Sequence, residues 1–127
     1  MEIEAIKTDN APAAIGPYSQ GISAGKWLFI SGQLGINPET GELVGATLDA
    51  QARQAMQNLQ QIVQAGGYKL SQVVAVDVFL TDMSQFSTFN EIYQEFFSEH
   101  KPARAVVEVR ALPKNGAIEV KCVVCGG

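Results

Sequence analysis

The sequence predicts an α+β domain: a mixed β-sheet with two helices packed on one face. Three observations predict it. Two stretches repeat apolar residues at helical steps, Leu48-Ala52-Ala55-Leu59-Ile62 and Phe86-Phe89-Tyr93-Phe96. The stretches between and around them alternate with period two, as half-buried strands do. The chain has 127 residues and 46% hydrophobic content, which suits one domain with one core, spanning residues 1–127.

Taken in order, "SQGISAGKWLFISGQ" reads as two short strands around an "AGK" turn at Ala24–Lys26. "GINPETGELVGAT" is a turn-rich loop, with Asn37-Pro38 opening one turn and Gly41 suited to positive φ. Thr47 is placed to cap the first helix, and Gly66-Gly67 ends it. "VVAVDVFLT" from Val73 is a strand whose Val74, Val76, Val78 and Leu80 should face the helices. Ser84 is the expected cap of the second helix, and Pro102 lies beyond its end.

"HKPARAVVEV" then enters a strand from a proline. Its expected inward beat is Ala105, Val107 and Val109, leaving Arg104, Val106, Glu108 and Arg110 on the other face. A "PKNG" turn at Pro113–Gly116 precedes a last strand with Ile118, Val120, Cys122 and Val124 inward. Local reading pairs these two strands as a hairpin, with Glu119 across from Arg110 and Glu108 across from Lys121. The face away from the helices then mixes Trp27, Phe29, Phe79 and Val123 with charges. Apolar patches rimmed by polar groups mark interfaces, so self-association is expected.

Composition excludes several functions. The formal net charge is -4 with scattered basic residues, against a nucleic-acid ligand. No apolar run approaches the roughly 20 residues of a membrane helix, and the N-terminus has no signal-peptide pattern, so a cytoplasmic location is expected. Cys122 and Cys125 form "CVVC" in a strand, where residues three apart lie about 10 Å apart on opposite faces. That forbids a local disulfide, and His100 alone adds too little for zinc. No metal or organic cofactor is expected.

Several segments together resemble the RidA/YjgF/UK114 family. They are "GPYSQG" at Gly16–Gly21, "ISGQ" at Ile30–Gln33, "NPETGEL" at Asn37–Leu43, "FNEIYQEFF" at Phe89–Phe97 and "PARAVVEVRALPKNGAIEV" at Pro102–Val120. The resemblance spans nearly the whole chain. It implies a chorismate-mutase-like fold in a homotrimer with three clefts between subunits. It also implies that the final strand lies inside the sheet, against the hairpin reading.

The implied activity is hydrolysis of 2-imino acids and their enamine tautomers (2-aminoacrylate and 2-aminocrotonate) to 2-keto acids and ammonia. Arg104 matches the family's carboxylate-binding arginine; its alternative is a strand-end ion pair. Glu119 matches the acid that would orient water or relay protons. Tyr18 matches a cleft tyrosine, and Ser31 with Gly32 a substrate-binding serine-glycine pair. Each has a plainer reading, as an ion-pair, interface or strand-end residue. Asn90 reads as structural. Val106 stands where well-studied deaminating members carry cysteine, so no thiol acts there, although backbone at this position could contact substrate. The competing reading is non-catalytic binding of small 2-imino or 2-keto carboxylic acids. Nuclease or translation-inhibitor roles fit an acidic chain with one histidine poorly, and a chaperone role would leave no mark in the sequence.

Overall fold

The structure, a computed structural model, describes residues 2–127. The first helix, α1 (Leu48–Ala65), starts where Thr47 predicts, its hydroxyl accepting from the Ala50 N–H. The glycine pair ends it: Gly66 and Gly67 N–H groups donate to the Ile62 and Gln64 carbonyls. One face of α1 buries Ala52, Ala55, Leu59 and Ile62 against the sheet, as the periodicity requires.

The strands are β1 (Ile3–Ile6), β2 (Gly21–Ala24), β3 (Trp27–Leu34), β4 (Val73–Leu80), β5 (Ala103–Glu108) and β6 (Ile118–Cys125), with α2 (Phe86–Phe96) between β4 and β5. They form one mixed sheet in the order β1-β2-β3-β6-β4-β5. Only β4 and β5 pair in parallel. The hairpin reading is therefore wrong: β6 lies between β3 and β4, and Glu119 faces Leu34 and Phe79 across the ladder. A last strand apolar at every second residue gains more from two partners than from an edge. Glu108 accepts instead from the Met83 N–H at 2.8 Å. The edge strand β1 escapes sequence reading because "IEAI" is exposed along most of its length and shows no apolar alternation.

Three local expectations are corrected. A bulge between Val73 and Ala75 turns Val73 into the core and Val74 out, while Val76, Val78 and Leu80 face inward as expected. Asp82, not Ser84, caps the turn leading into α2, accepting from the Ser84 N–H at 3.0 Å. The buried stripe of α2 is Phe89, Ile92 and Tyr93, continued by Phe97 just beyond the helix; Phe86 is exposed.

The faces of β5 are also the reverse of the expectation. Register aligns Arg104 with Val76, Val106 with Val78 and Glu108 with Leu80, so these three lie on the helix face. Val107 lies on the open face and is 44% exposed. Beside parallel β4 at the rim, β5 meets only the flank of α2. There Arg104 can lie along aromatic rings with its charge still wetted.

The Tyr93 ring packs between Phe89 and Phe97, with centroids at 5.5 Å and 5.0 Å. Its hydroxyl is buried without a hydrogen-bond partner among the described residues, and burial pushes its pKa up to about 12. An unpartnered buried hydroxyl costs stability. Tyr93→Phe is therefore expected to raise the unfolding free energy by about 1 kcal/mol, read from denaturant midpoints. A loss of stability would show that the hydroxyl is partnered in solution.

Candidate active site

A second bulge, between Ile30 and Gln33, breaks the β3–β6 ladder at Ser31-Gly32. Bulges re-aim strands and often sit beside functional sites. Here the bulge brings β3 backbone against the side chain of Glu119. A Cβ on Gly32 would lie 2.7 Å from the Glu119 carboxyl carbon, so the glycine is what leaves space for that carboxylate. Ser31 ties down the preceding loop: its hydroxyl donates to the Ser19 carbonyl at 2.5 Å and its N–H to the Gln20 carbonyl at 3.0 Å. Tyr18 is thereby held at the surface, 53% exposed.

Gln20, which sequence reasoning passed over inside "GPYSQG", anchors this corner. Its buried amide accepts from the Thr8 N–H at 2.7 Å and donates to the Thr8 and Pro12 carbonyls at 3.0 Å and 2.8 Å. A glutamine between a serine and a glycine looks like loop polarity, and nothing local reveals that it staples two segments together.

These elements enclose a cavity of about 890 Å³ lined by Tyr18, Ser31, Gly32 and Glu119, with Ile15, Leu34 and Ile36 among its apolar walls. Glu119 is half-buried and forms no ion pair among the described residues. Burial raises its pKa above the ordinary value of 4.5, with the Lys121 charge acting the other way. A carboxylate of raised pKa in a largely apolar cavity can take a proton from water and return it to a leaving group.

Arg104 and Val106 are not in this cavity. Arg104 lies across the sheet, its Nη1 donating to Asn90 Oδ1 at 2.7 Å. Its guanidinium sits 4.7 Å from the Tyr93 ring centroid, with the Phe86 and Phe89 rings at 5.7 Å and 5.9 Å. No acid pairs with it among the described residues, which removes the ion-pair alternative within one chain. Asn90, read from sequence as structural, orients the guanidinium. Val106 is half-buried beside Arg104 and packs on the core. One chain thus holds two groups of site residues on opposite faces: Tyr18, Ser31, Gly32 and Glu119 in the cavity, and Arg104, Asn90 and Val106 by α2. The open sheet face exposes Trp27, Phe29 and Val107. No cluster of metal-ligating side chains occurs among the described residues, and no helix of the described residues is long and apolar enough to cross a membrane.

Comparison with known proteins gives concordant matches. The family model described as Endoribonuclease L-PSP matches residues 8–125. A RutC family protein of Pyrococcus horikoshii is 50% identical over 120 residues, covering 94% of this chain and 95% of that protein. The 2-iminobutanoate/2-iminopropanoate deaminase of Escherichia coli K12 is 48% identical over 121 residues, covering 93% and 94%. The crystal structure of the YjgF gene product of Escherichia coli superposes with a TM-score of 0.93 at 46% identity, covering 98% of this chain and 99% of that one.

The close approach of Gly32 to Glu119 makes a direct prediction. Gly32→Ala is expected to displace the carboxylate toward solvent and shift its titration back toward the ordinary glutamate value. A carboxyl-carbon NMR titration of Glu119 measures this; an unchanged curve in a folded variant would mean that Gly32 does not govern the carboxylate's surroundings.

Proposed function

We propose a function from one established premise, that the chain belongs to the endoribonuclease L-PSP family, also known as the YjgF/RidA family. The reading is that it is an imine deaminase. It hydrolyses 2-imino acids, formed as 2-aminoacrylate or 2-aminocrotonate tautomers, to 2-keto acids and ammonia. The observation that carries the reading is Glu119: half-buried, without an ion-pair partner, and raised in pKa at the wall of an apolar cavity. The name of the Escherichia coli relative supports it.

The chemistry requires water at C2 of the C=N bond and a proton on the departing nitrogen. In the proposed sequence Glu119 accepts a proton from the attacking water as the new C–O bond forms. The resulting carbinolamine receives a proton on nitrogen, the C–N bond breaks, and ammonia leaves as the carbonyl forms. The Tyr18 hydroxyl lies at the mouth and offers a further hydrogen bond. The Ser31 hydroxyl already donates to Ser19, so it can only accept. Water attacks directly, so the step needs no thiol, metal or organic cofactor, and Val106 is compatible with it.

The substrate carboxylate needs a cation. In this reading Arg104 supplies it from a neighbouring copy in a homotrimer assembled through the apolar open face. Arg104 lacks an acid partner and is held by Asn90 and three aromatic rings, so part of its fork is left to grip a carboxylate. A protein acting on short-lived metabolites beside their source would be cytoplasmic.

Arg104→Ala should cut kcat/KM by about one to two decades, the value of one charge-assisted contact. Arg104→Lys should rescue poorly, because an ammonium lacks the planar fork. Mixing Arg104→Ala with Glu119→Gln chains and reassembling them should restore activity, because some clefts would then combine two intact halves. Lack of recovery in verified mixed trimers would sink the shared cleft.

Glu119 works as a carboxylate, so activity should fall as pH drops through its raised pKa. The acid limb of the kcat/KM profile is therefore expected above 4.5, the ordinary glutamate value. Glu119→Gln should lose turnover while retaining 2-keto acid binding. A wild-type acid limb at or below the ordinary 4.5 would assign the titration to another group.

A further inference from the structure

The turn before β6 holds an unusual backbone. Lys114 and Asn115 adopt φ of 58° and 57°, two consecutive non-glycine residues in the left-handed region. Asparagine tolerates this conformation, whereas a lysine there is uncommon. Such strain persists only where the surroundings impose it. Here they do. The Gly116 N–H donates to the Pro113 carbonyl at 3.0 Å, and the Ala117 N–H to Oε1 of buried Gln51 at 2.7 Å. The Ala117 carbonyl in turn accepts from the Thr81 N–H at 3.2 Å.

The strained turn puts the exposed Lys114 on the wall of the Glu119 cavity, where it is the only basic lining residue among the described residues. It lies at the opposite end from the bulge. Leu34 faces Glu119 in the ladder, and a Cβ on Gly116 would lie 3.1 Å from Leu34 Cδ2, so the turn sits over the end of β3. Ser31 and Gly32 lie further back along the same strand. Glu119 thus stands between the bulge and the lysine. Lys114 forms no ion pair among the described residues, although Glu39 lines the same cavity from the loop after β3.

If Arg104 of a neighbouring copy takes the carboxylate beside the imine, Lys114 is left to meet a second anionic group. We propose that Lys114 is a specificity-determining contact for a distal carboxylate, so that the site takes dicarboxylic 2-imino acids and their 2-keto products in addition to the short monocarboxylic ones. This rests on the reading of the cavity as a 2-imino or 2-keto acid site. It does not require turnover.

Calorimetric titration of the intact protein with 2-oxoglutarate and with 2-oxobutanoate tests it. The wild-type chain is expected to prefer the dicarboxylate by about tenfold, the value of one charge-assisted contact. Lys114→Met should erase that preference and Lys114→Arg should keep it. Lys114→Gly removes the ammonium while relieving the left-handed backbone, so it tests the same point without adding strain. Its preference should also vanish. A wild-type protein that binds both acids equally, or variants that weaken both equally, would overturn the proposal. Hydrolysis of 2-iminopropanoate is measured separately: its absence would defeat the deaminase reading and leave the ligand preference to be judged alone.

Discussion

The position of β6 between β3 and β4 is the constraint on which the rest depends. Pairing on both edges fixes its register, and the two-residue period then fixes which side chains meet the helices. Ile118, Val120, Cys122 and Val124 go into the core. Glu119, between two of them, is forced to the other face. A slip of one residue would bury the carboxylate under α1 and expose the core beat. The large free energy of burying four apolar side chains therefore holds the candidate acid in place, far more firmly than its own contacts could.

Around this strand, buried amides do the work of joining loops to framework. Gln20 holds the segment at Thr8–Pro12 and Gln51 holds the turn before β6. Asn58 donates to the Leu34 and Ile36 carbonyls at 3.1 Å and 2.9 Å, holding the exit of β3. Each satisfies backbone groups that would otherwise be buried unpaired. Loops around the cavity are thus supported by buried side chains, of which Gln20 also lines it while Gln51 and Asn58 do not. Such support keeps a site on loops as well positioned as one on strands.

The two groups of site residues also divide the labour of the surfaces. In the proposed reading the cavity group would supply the acid and an apolar pocket. The Arg104 group would supply a cation set on aromatic rings at the sheet rim. The open face carries exposed Trp27, Phe29 and Val107, a surface suited to a second copy of the chain. In the proposed homotrimer, assembly and site formation would be the same event.

The sequence by itself determined what depends on local period and punctuation. The faces of α1, its cap at Thr47 and its end at Gly66 follow from residues within one or two turns. The inward beat of β6 follows from strict alternation. Family motifs carried the identities of Tyr18, Ser31, Gly32 and Glu119, which the fold brings into one cavity. Only tertiary structure decided the rest. The hairpin reading failed because strand order depends on which partners bury most surface, which adjacency in sequence does not encode; the family resemblance, and not local pattern, had placed β6 inside the sheet. The faces of β5 were reversed because this edge strand, Ala-Arg-Ala-Val-Val-Glu, carries apolar residues on both faces, and its register with β4 chose between them. Val73 and Val74 exchanged places through a bulge that no residue type announces. Arg104 was legible as a residue but not as a location, because its bed of rings comes from α2, a separate element that meets it only in the folded chain.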